Sequence, residues 1–137
     1  MAKNIFGETL FTLIPASDNY FDFILKLRND PRIRNGFIQQ ADISEVNHKI
    51  YMSENSKNYY VCMLNQKPIG YIGVIENDIR LAVSLEHNGF GAGEFMVKKI
   101  LLIYPNAVAK IKVGNQASLR LFEKCGFEKK YFILEQD

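Results

Sequence analysis

Two cysteines, two histidines and four prolines are all that 137 residues offer of those types, and each scarcity excludes something. Cys62 and Cys125 stand far apart with no Cys-x-x-Cys spacing, which leaves them as small buried apolar residues of a reducing compartment. His48 and His87 have no ligand-spaced partner, so no metal is expected. No apolar run approaches the roughly 20 residues that span a bilayer. The opening Met1-Ala2-Lys3-Asn4-Ile5-Phe6-Gly7-Glu8 carries an acid and a glycine where a signal peptide needs an apolar stretch. These features predict a cytoplasmic protein with no membrane partner.

A strong charge of one sign is missing as well. Seventeen basic and 15 acidic residues leave a net charge of +2, too weak for the concentrated basic face of a nucleic-acid binder. The distribution is uneven: residues 1–93 hold 9 basic and 10 acidic side chains, a balance of −1, and residues 94–137 hold 8 and 5, a balance of +3. A solvated lysine-rich face accounts for this, and so does attraction for an anionic ligand. The length suits one domain over 1–137, large enough for a core without staples.

Hydrophobic patterning divides the chain into short elements. Thr9-Leu10-Phe11-Thr12-Leu13-Ile14 reads as a strand stopped by Pro15. Ser17 or Asp18 caps a helix over Tyr20–Arg28, which Pro31 ends, and Ser44 caps a weaker helix to about Ser53 with Val46, Ile50 and Tyr51 on one side. Tyr59–Leu64 and Ile69–Ile75 flank the turn Asn65-Gln66-Lys67 as a hairpin, and Ile79–Leu85 follows the turn Asn77-Asp78 as a third antiparallel strand. After the cluster Glu86-His87-Asn88-Gly89-Phe90-Gly91-Ala92-Gly93 comes a helix with Met96, Val97, Ile100, Leu101 and Tyr104 at helical spacing, ended by Pro105. A strand over Ala107–Val113, a helix from Asn115 with Ala117, Leu121, Phe122 and Cys125 inward, the stop Gly126, and a last strand over Phe127–Leu134 complete the reading.

The glycine cluster carries the chemical content. Glycines at alternate positions let the backbone approach a ligand closely and turn successive N–H groups one way. The helix that follows adds the partial positive charge of its N-terminus, and together these make a phosphate cradle that needs no basic side chain. A glycine-rich turn chosen only for tightness is the plainer reading. A dinucleotide-binding unit would place such a loop at the start of a βαβ unit with an acid about 20 residues on. Here the loop follows an antiparallel meander, and Ala107–Val113 ends without an acid. A nucleotide P-loop would end in Gly-Lys-Ser or Gly-Lys-Thr, whereas this one ends Gly93-Glu94-Phe95.

Three motifs in order then resemble one family. Asn88-Gly89-Phe90-Gly91-Ala92-Gly93 is similar, apart from its first residue, to the (Arg/Gln)-x-x-Gly-x-(Gly/Ala) loop of the GNAT superfamily of acyl-CoA-dependent N-acyltransferases. Asn115-Gln116-Ala117-Ser118-Leu119-Arg120-Leu121-Phe122-Glu123-Lys124-Cys125-Gly126-Phe127 is similar to its Asn-x-x-(Ala/Ser)-x-x-Leu-Tyr-x-x-x-Gly-Phe signature, and Lys67-Pro68-Ile69-Gly70-Tyr71-Ile72-Gly73 to its third strand. Leu27-Arg28-Asn29-Asp30-Pro31-Arg32-Ile33-Arg34 resembles a subgroup that acetylates ribosomal-protein N-termini or nucleotide-linked amino sugars. The resemblance implies an α+β fold: a mixed sheet, mostly antiparallel, with a parallel pair at the cofactor cleft and about four flanking helices. The usual final strand is missing beyond Leu134, and the uncovered edge makes a homodimer an expectation.

The resemblance also implies a chemistry: an acetyl group moves from acetyl-CoA, a cosubstrate, to a primary amine of a small molecule by direct attack in a ternary complex. It carries cofactor contacts onto Leu81 and Val83 of the preceding strand, onto Asn88, Gly89, Phe90, Gly91, Ala92 and Gly93, and onto Asn115, Ser118 and Phe122. The family's tyrosine that protonates the leaving thiolate falls at Phe122, which has no hydroxyl; Ser118 one turn earlier, Tyr104 or Tyr131 are alternative donors. Asn88 stands where an arginine or glutamine is usual, with Lys98, Lys99 or Lys124 to compensate. Glu76, Asp78 and His87 flank the last meander strand as candidate bases, beside a plainer reading as turn or surface residues. For the acceptor, Arg28, Arg32 and Arg34 suit the diphosphate of a nucleotide-linked amino sugar, with Tyr71, Tyr59 and Tyr60 as stacking partners. A protein N-terminus as acceptor and a non-catalytic acyl-CoA-binding module remain as alternatives.

Overall fold

The computed structural model describes residues 10–39 and 41–137. Helices cover both faces of a four-stranded sheet. The strands are β1 (Phe11–Pro15), β2 (Tyr59–Leu64), β3 (Lys67–Ile75) and β4 (Asp78–Val83), lying side by side in that order with every neighbouring pair antiparallel. The part of the first expected strand at Thr9 lies outside the described residues. Pro15 is included in β1 rather than excluded from it, which costs nothing because among the described residues β1 is an edge strand and its missing N–H has no neighbour to serve.

Two tight turns build the meander. Asn65 and Gln66 both have positive φ (49° and 69°), as do Glu76 and Asn77 (51° and 65°), the twist that two-residue hairpins require. The second turn therefore lies one residue earlier than expected, and Asp78 opens β4. Register slips between Cys62 and Met63, whose partners are Gly70 and Pro68. The extra residue, Ile69, is fully buried in the same cluster as Ile72 and Val74.

Alternation sorts the strands into two cores. Cys62, Ile72, Val74 and Ile79 pack with Phe95, Met96, Val97 and Ile100 of α4 (Ala92–Ile103) and with Phe122 of α5 (Gln116–Lys124). On the other face Tyr59, Val61, Met63, Tyr71 and Ala82 meet Ile24 and Leu27 of α1 (Phe21–Asn29) and Met52 of α3 (Glu45–Asn55). A single turn, α2 (Pro31–Arg34), brings the α-helices among the described residues to five. Ser44 caps α3 as expected, its hydroxyl accepting from Asn47 N at 3.1 Å. The inward residues differ, however: His48 and Met52 are buried, whereas Val46 and Ile50 are exposed. Likewise Ala117 of α5 faces outward, and Phe122 is its buried residue.

Two expected strands do not form. Of Ala107–Val113, one rung is made: Val108 N donates to Asn77 O (2.7 Å) and its carbonyl accepts from Ile79 N (2.9 Å), a parallel bridge at Asp78. The expected parallel pair is thus reduced to its first step, after which the chain leaves β4. Phe127–Leu134 makes no ladder at all, and residues 128–137 are exposed. The physical reason is common to both: extended backbone becomes a strand only against a neighbour, and the described residues place none beside these segments.

His48 is 4% exposed, and Phe21 stacks edge-on to its ring at 6.4 Å. Burial lowers its pKa, partly offset by the charge of Asp22. A lowered folded pKa means the unfolded chain binds the proton better, so His48 adds stability above its ordinary value near 6.5 that is lost as pH falls. We expect the urea midpoint to fall more between pH 7 and pH 5 in the wild type than in His48→Met. Equal slopes for the two proteins would refute this role.

Candidate active site

Glycine at 91 opens the site. Gly91 is the residue before α4 and has φ of +89°, with Gly89 at +85° two residues earlier. No side chain caps α4, and none of the backbone amides from Gly89 to Glu94 donates within the fold among the described residues. The first bond of the new helix is Phe95 N to Gly91 O at 3.0 Å. Six successive donors are left for a ligand, at the positive end of a 12-residue helix.

The edge of β4 supplies a second row. Ile79 N points away from β3 to Val108, so by the two-residue alternation the amides and carbonyls of Leu81 and Val83 face the same way. Once the chain departs beyond Val108, no strand among the described residues takes them up. Leu81 and Val83 therefore lead directly to the loop. This open edge, the loop and the start of α5 line one cleft.

The remaining candidates fall into place around it. Ser118 is half-buried in the cleft wall, and its amide donates to Asn115 Oδ1 at 3.1 Å. Phe122 is 6% exposed and meets Phe127 edge-on at 5.1 Å, a core position rather than a donor's. Asn115 does double duty: it caps α5, and its Nδ2 donates to Gly36 O at 3.1 Å. With Lys112 Nζ donating to Asn35 O (3.3 Å), it ties the segment after α2 to the entrance of α5. His87 reaches the cleft with a buried Nδ1 that has no hydrogen-bond partner, its ring 6.5 Å from Phe90. Glu76 does not join them; it is exposed at the hairpin tip, at the other end of β4 from the loop. Tyr104 donates to Asn58 Oδ1 at 3.3 Å, and Tyr131 lies on the exposed final segment. Of the loop's neighbours, Lys98 and Lys124 both pair with Glu94 (3.2 and 3.9 Å). Burial pushes the Cys62 thiol up to about 12, so it is no nucleophile at neutral pH.

On the α1–α3 side of β4, arginines and tyrosines converge. Arg28 Nη2 donates to Gln39 O at 2.7 Å, its guanidinium lies 4.9 Å over the Phe37 ring, and its Nη1 is buried without a partner. Arg32 is occupied: its fork holds Asp30 at 3.1 and 2.8 Å while Asp30 caps α2, and the side chain is largely exposed. That contact holds the Asp30 carboxyl below its usual range. Arg34 pairs with Asp42. Tyr71 is buried against Tyr59, ring centres 6.1 Å apart, and burial raises both phenols. Tyr51 and Tyr59 share a hydroxyl–hydroxyl bond of 2.7 Å, and Arg80 Nη1 donates to Tyr51 Oη at 3.5 Å. Asp78 lies 3.7 Å from Arg80 through Oδ2, while its Oδ1 is buried and unpartnered. Sequence reading missed Arg80 and Tyr51. Alternation along β4 would have set Arg80 beside Ala82 on this face; the long-range partner Tyr51 has no local signal.

An antiparallel meander, a left-handed glycine before a helix, and a strand edge released after one rung together outline the cleft. Residues 21–127 match the acetyltransferase (GNAT) family, and the chain belongs to that family as an acetyltransferase domain. Solved structures share the fold. Spermidine N-acetyltransferase from Vibrio cholerae, in complex with CoA and spermine, superposes with a TM-score of 0.79 at 20% identity, over 93% of this chain and 86% of that one. A domain from Methanocaldococcus jannaschii gives 0.77 at 22% identity, over 88% and 89%. Ribosomal-protein-alanine N-acetyltransferase from Brucella melitensis gives 0.72 at 17%, over 85% and 84%. A search of curated protein sequences returned no match. Among the described residues no three His, Cys, Asp or Glu side chains group to hold a metal, and no helix is long and apolar enough to cross a membrane.

Proposed function

We propose that this domain is a cytoplasmic enzyme that transfers the acetyl group of acetyl-CoA to a primary amine of a small, anionic acceptor, with nucleotide-linked amino sugars as the favoured class. The observation that carries the first half is two neighbouring sets of free backbone donors, Leu81 and Val83 on the β4 edge and Gly89–Gly93 in the loop that follows. A pantetheine arm bonds main chain as an added strand would, and a pyrophosphate suits a row of amides at a helix start. Asn88, Phe90 and Ala92 complete that loop, and Asn115, Ser118 and Phe122 bound its far side.

Transfer forms a C–N bond and breaks a C–S bond, while the amine gives up a proton and the thiolate gains one. In this reading a β4 amide near Val83 holds the oxyanion. His87 Nδ1, buried and unpartnered at the loop end of β4, is a better-placed acceptor of the amine's proton than Glu76 or Asp78 at the hairpin end. Ser118 is the hydroxyl nearest in sequence to the helical position where Phe122 has none, and it hands the proton to the thiolate.

The acceptor half rests on charge. Arg28 and Arg80 face the acceptor side with Asp78 as their acidic counterpart, and Arg28 Nη1 has no partner. A polycation of the kind bound by the Vibrio cholerae protein would meet repulsion there, whereas a phosphate oxygen suits a guanidinium fork. Tyr71 and its neighbours supply the aromatic wall. Arg32, held by Asp30, contributes only by exchanging that carboxylate for the ligand.

Incubation with acetyl-CoA and a panel of amines, with free thiol followed over time, tests the reading. Thiol release with a nucleotide-linked amino sugar, and little with spermidine, is the expected result. Arg28→Ala should then cut kcat/KM for that acceptor by about ten- to a hundredfold, the range of one charge-assisted contact, with acetyl-CoA affinity unchanged. Tight acetyl-CoA binding without turnover on any amine would replace the enzyme by a binding module, and preference for peptide N-termini would replace the acceptor.

A further inference from the structure

After α2 the chain spans the cleft from one wall to the other. At the near end Arg32 feels the charge of Glu86, in the turn after β4. At the far end the entrance of α5 takes hold of it. Asn115 Nδ2 donates to Gly36 O at 3.1 Å and Lys112 Nζ to Asn35 O at 3.3 Å, across 79 and 77 residues of sequence. The same segment holds Arg28: the Phe37 ring lies 4.9 Å from its guanidinium, and Gln39 O accepts from its Nη2 at 2.7 Å. Residues 35–39 contain turn and bend but neither helix nor strand. Their place therefore depends on bonds to more regular parts of the chain.

Gly36 is the point of closest approach. A Cβ there would lie 2.8 Å from Asn115 Nδ2. The φ of Gly36 is not positive, so this position excludes a side chain because of its neighbour and not because of its backbone. Asn115 cannot swing aside at no cost, since its Oδ1 accepts from Ser118 N at 3.1 Å while its Nδ2 holds Gly36. We propose that Asn115 is a positioning residue for Arg28 and, on the reading of Arg28 as the anchor of the acceptor, for the acceptor itself. By holding Gly36 it sets the segment that carries Phe37 and Gln39. A ring against the face and a carbonyl at one edge fix a planar guanidinium in both tilt and rotation. The buried Nη1 of Arg28, which has no partner, turns with that segment. One amide side chain thus starts α5 on the acetyl-CoA side and aims a donor on the acceptor side.

Gly36→Ala tests this on the whole chain, because it pushes the segment off Asn115 while leaving both Asn115 and Arg28 in place. In a proton–nitrogen correlation spectrum the Arg28 guanidinium signal, identified as the one missing from Arg28→Ala, should move or broaden. With the most active amine of the panel, the acceptor KM should rise at least about fivefold while kcat stays within about twofold. On an Arg28→Ala background the same substitution should add less than about twofold, since its effect passes through Arg28. Lys112→Met removes the second tie from an exposed side chain, leaves the urea midpoint unchanged, and should move the Arg28 signal in the same direction. An Arg28 signal indifferent to both variants, a fall in kcat with KM unchanged, or a full Gly36→Ala effect in the absence of Arg28 would each overturn the proposal. Should Arg28→Ala by itself leave the acceptor KM unchanged, the anionic acceptor is refuted, and the Arg28 signal alone decides whether Asn115 positions it.

Discussion

Gly91→Val is expected to lower acetyl-CoA affinity by at least about a hundredfold, which corresponds to roughly 2.7 kcal/mol. The backbone at 91 has φ of +89°, a conformation that costs an L-residue about 1–2 kcal/mol and a β-branched one more. Valine relieves that strain by turning the peptide, and the turned peptide no longer aims its N–H with those of its neighbours. Six donors act as a set only while the left-handed residue holds them together, so the loss exceeds that of one hydrogen bond. Isothermal calorimetry with acetyl-CoA measures it, with the urea midpoint as a check on folding. An affinity within about threefold of the wild type would show that these amides are not the phosphate site.

The second large effect concerns stability and arises where the sheet meets its own side chains. A Cβ built on Gly73 would lie 2.5 Å from two carbons of the Tyr59 ring. Tyr59 cannot simply move aside: it is 5% exposed, its ring contacts Tyr71, and its hydroxyl is bonded to Tyr51. Gly73→Ala therefore either bends β3 away from β2 or expels the ring and strands a buried phenol. Overpacking of this kind costs about 1–3 kcal/mol, and breaking the hydroxyl pair adds about 1 kcal/mol. We expect a loss of about 2–4 kcal/mol by urea denaturation. A variant within about 0.5 kcal/mol of the wild type would mean that Tyr59 has room that its contacts deny.

What could be read ahead of the structure, and what could not, follows from the range of the forces involved. The meander was legible because hairpins are local: β2, β3 and β4 are joined by two-residue turns and paired with sequence neighbours. The glycine loop and the start of α4 were legible because left-handed backbone selects glycine directly. The segments 107–113 and 127–134 have the composition of strands, but composition cannot supply the neighbour that makes a strand, and only Val108 finds one. On α3 the pattern of Val46 and Ile50 promised an inward stripe, whereas the helix turns His48 and Met52 to the sheet. Burying a histidine is a tertiary choice that apolar counting does not see. On the α1–α3 side of β4, three arginines close in sequence read as three phosphate ligands. In the fold, Arg32 and Arg34 are taken by Asp30 and Asp42, and Arg80, contributed by a distant strand, lies on the same side of the sheet as Arg28.

The release of the chain from β4 after a single rung has a thermodynamic reading. Main-chain groups of Leu81 and Val83 are completed in the folded state only by solvent or by whatever lies along that margin. A guest there finishes the sheet rather than merely occupying a hole, so its binding energy adds to the cohesion of the domain. Melting temperature should accordingly climb with the logarithm of guest concentration, and the protein is at its most fragile when the cleft is empty.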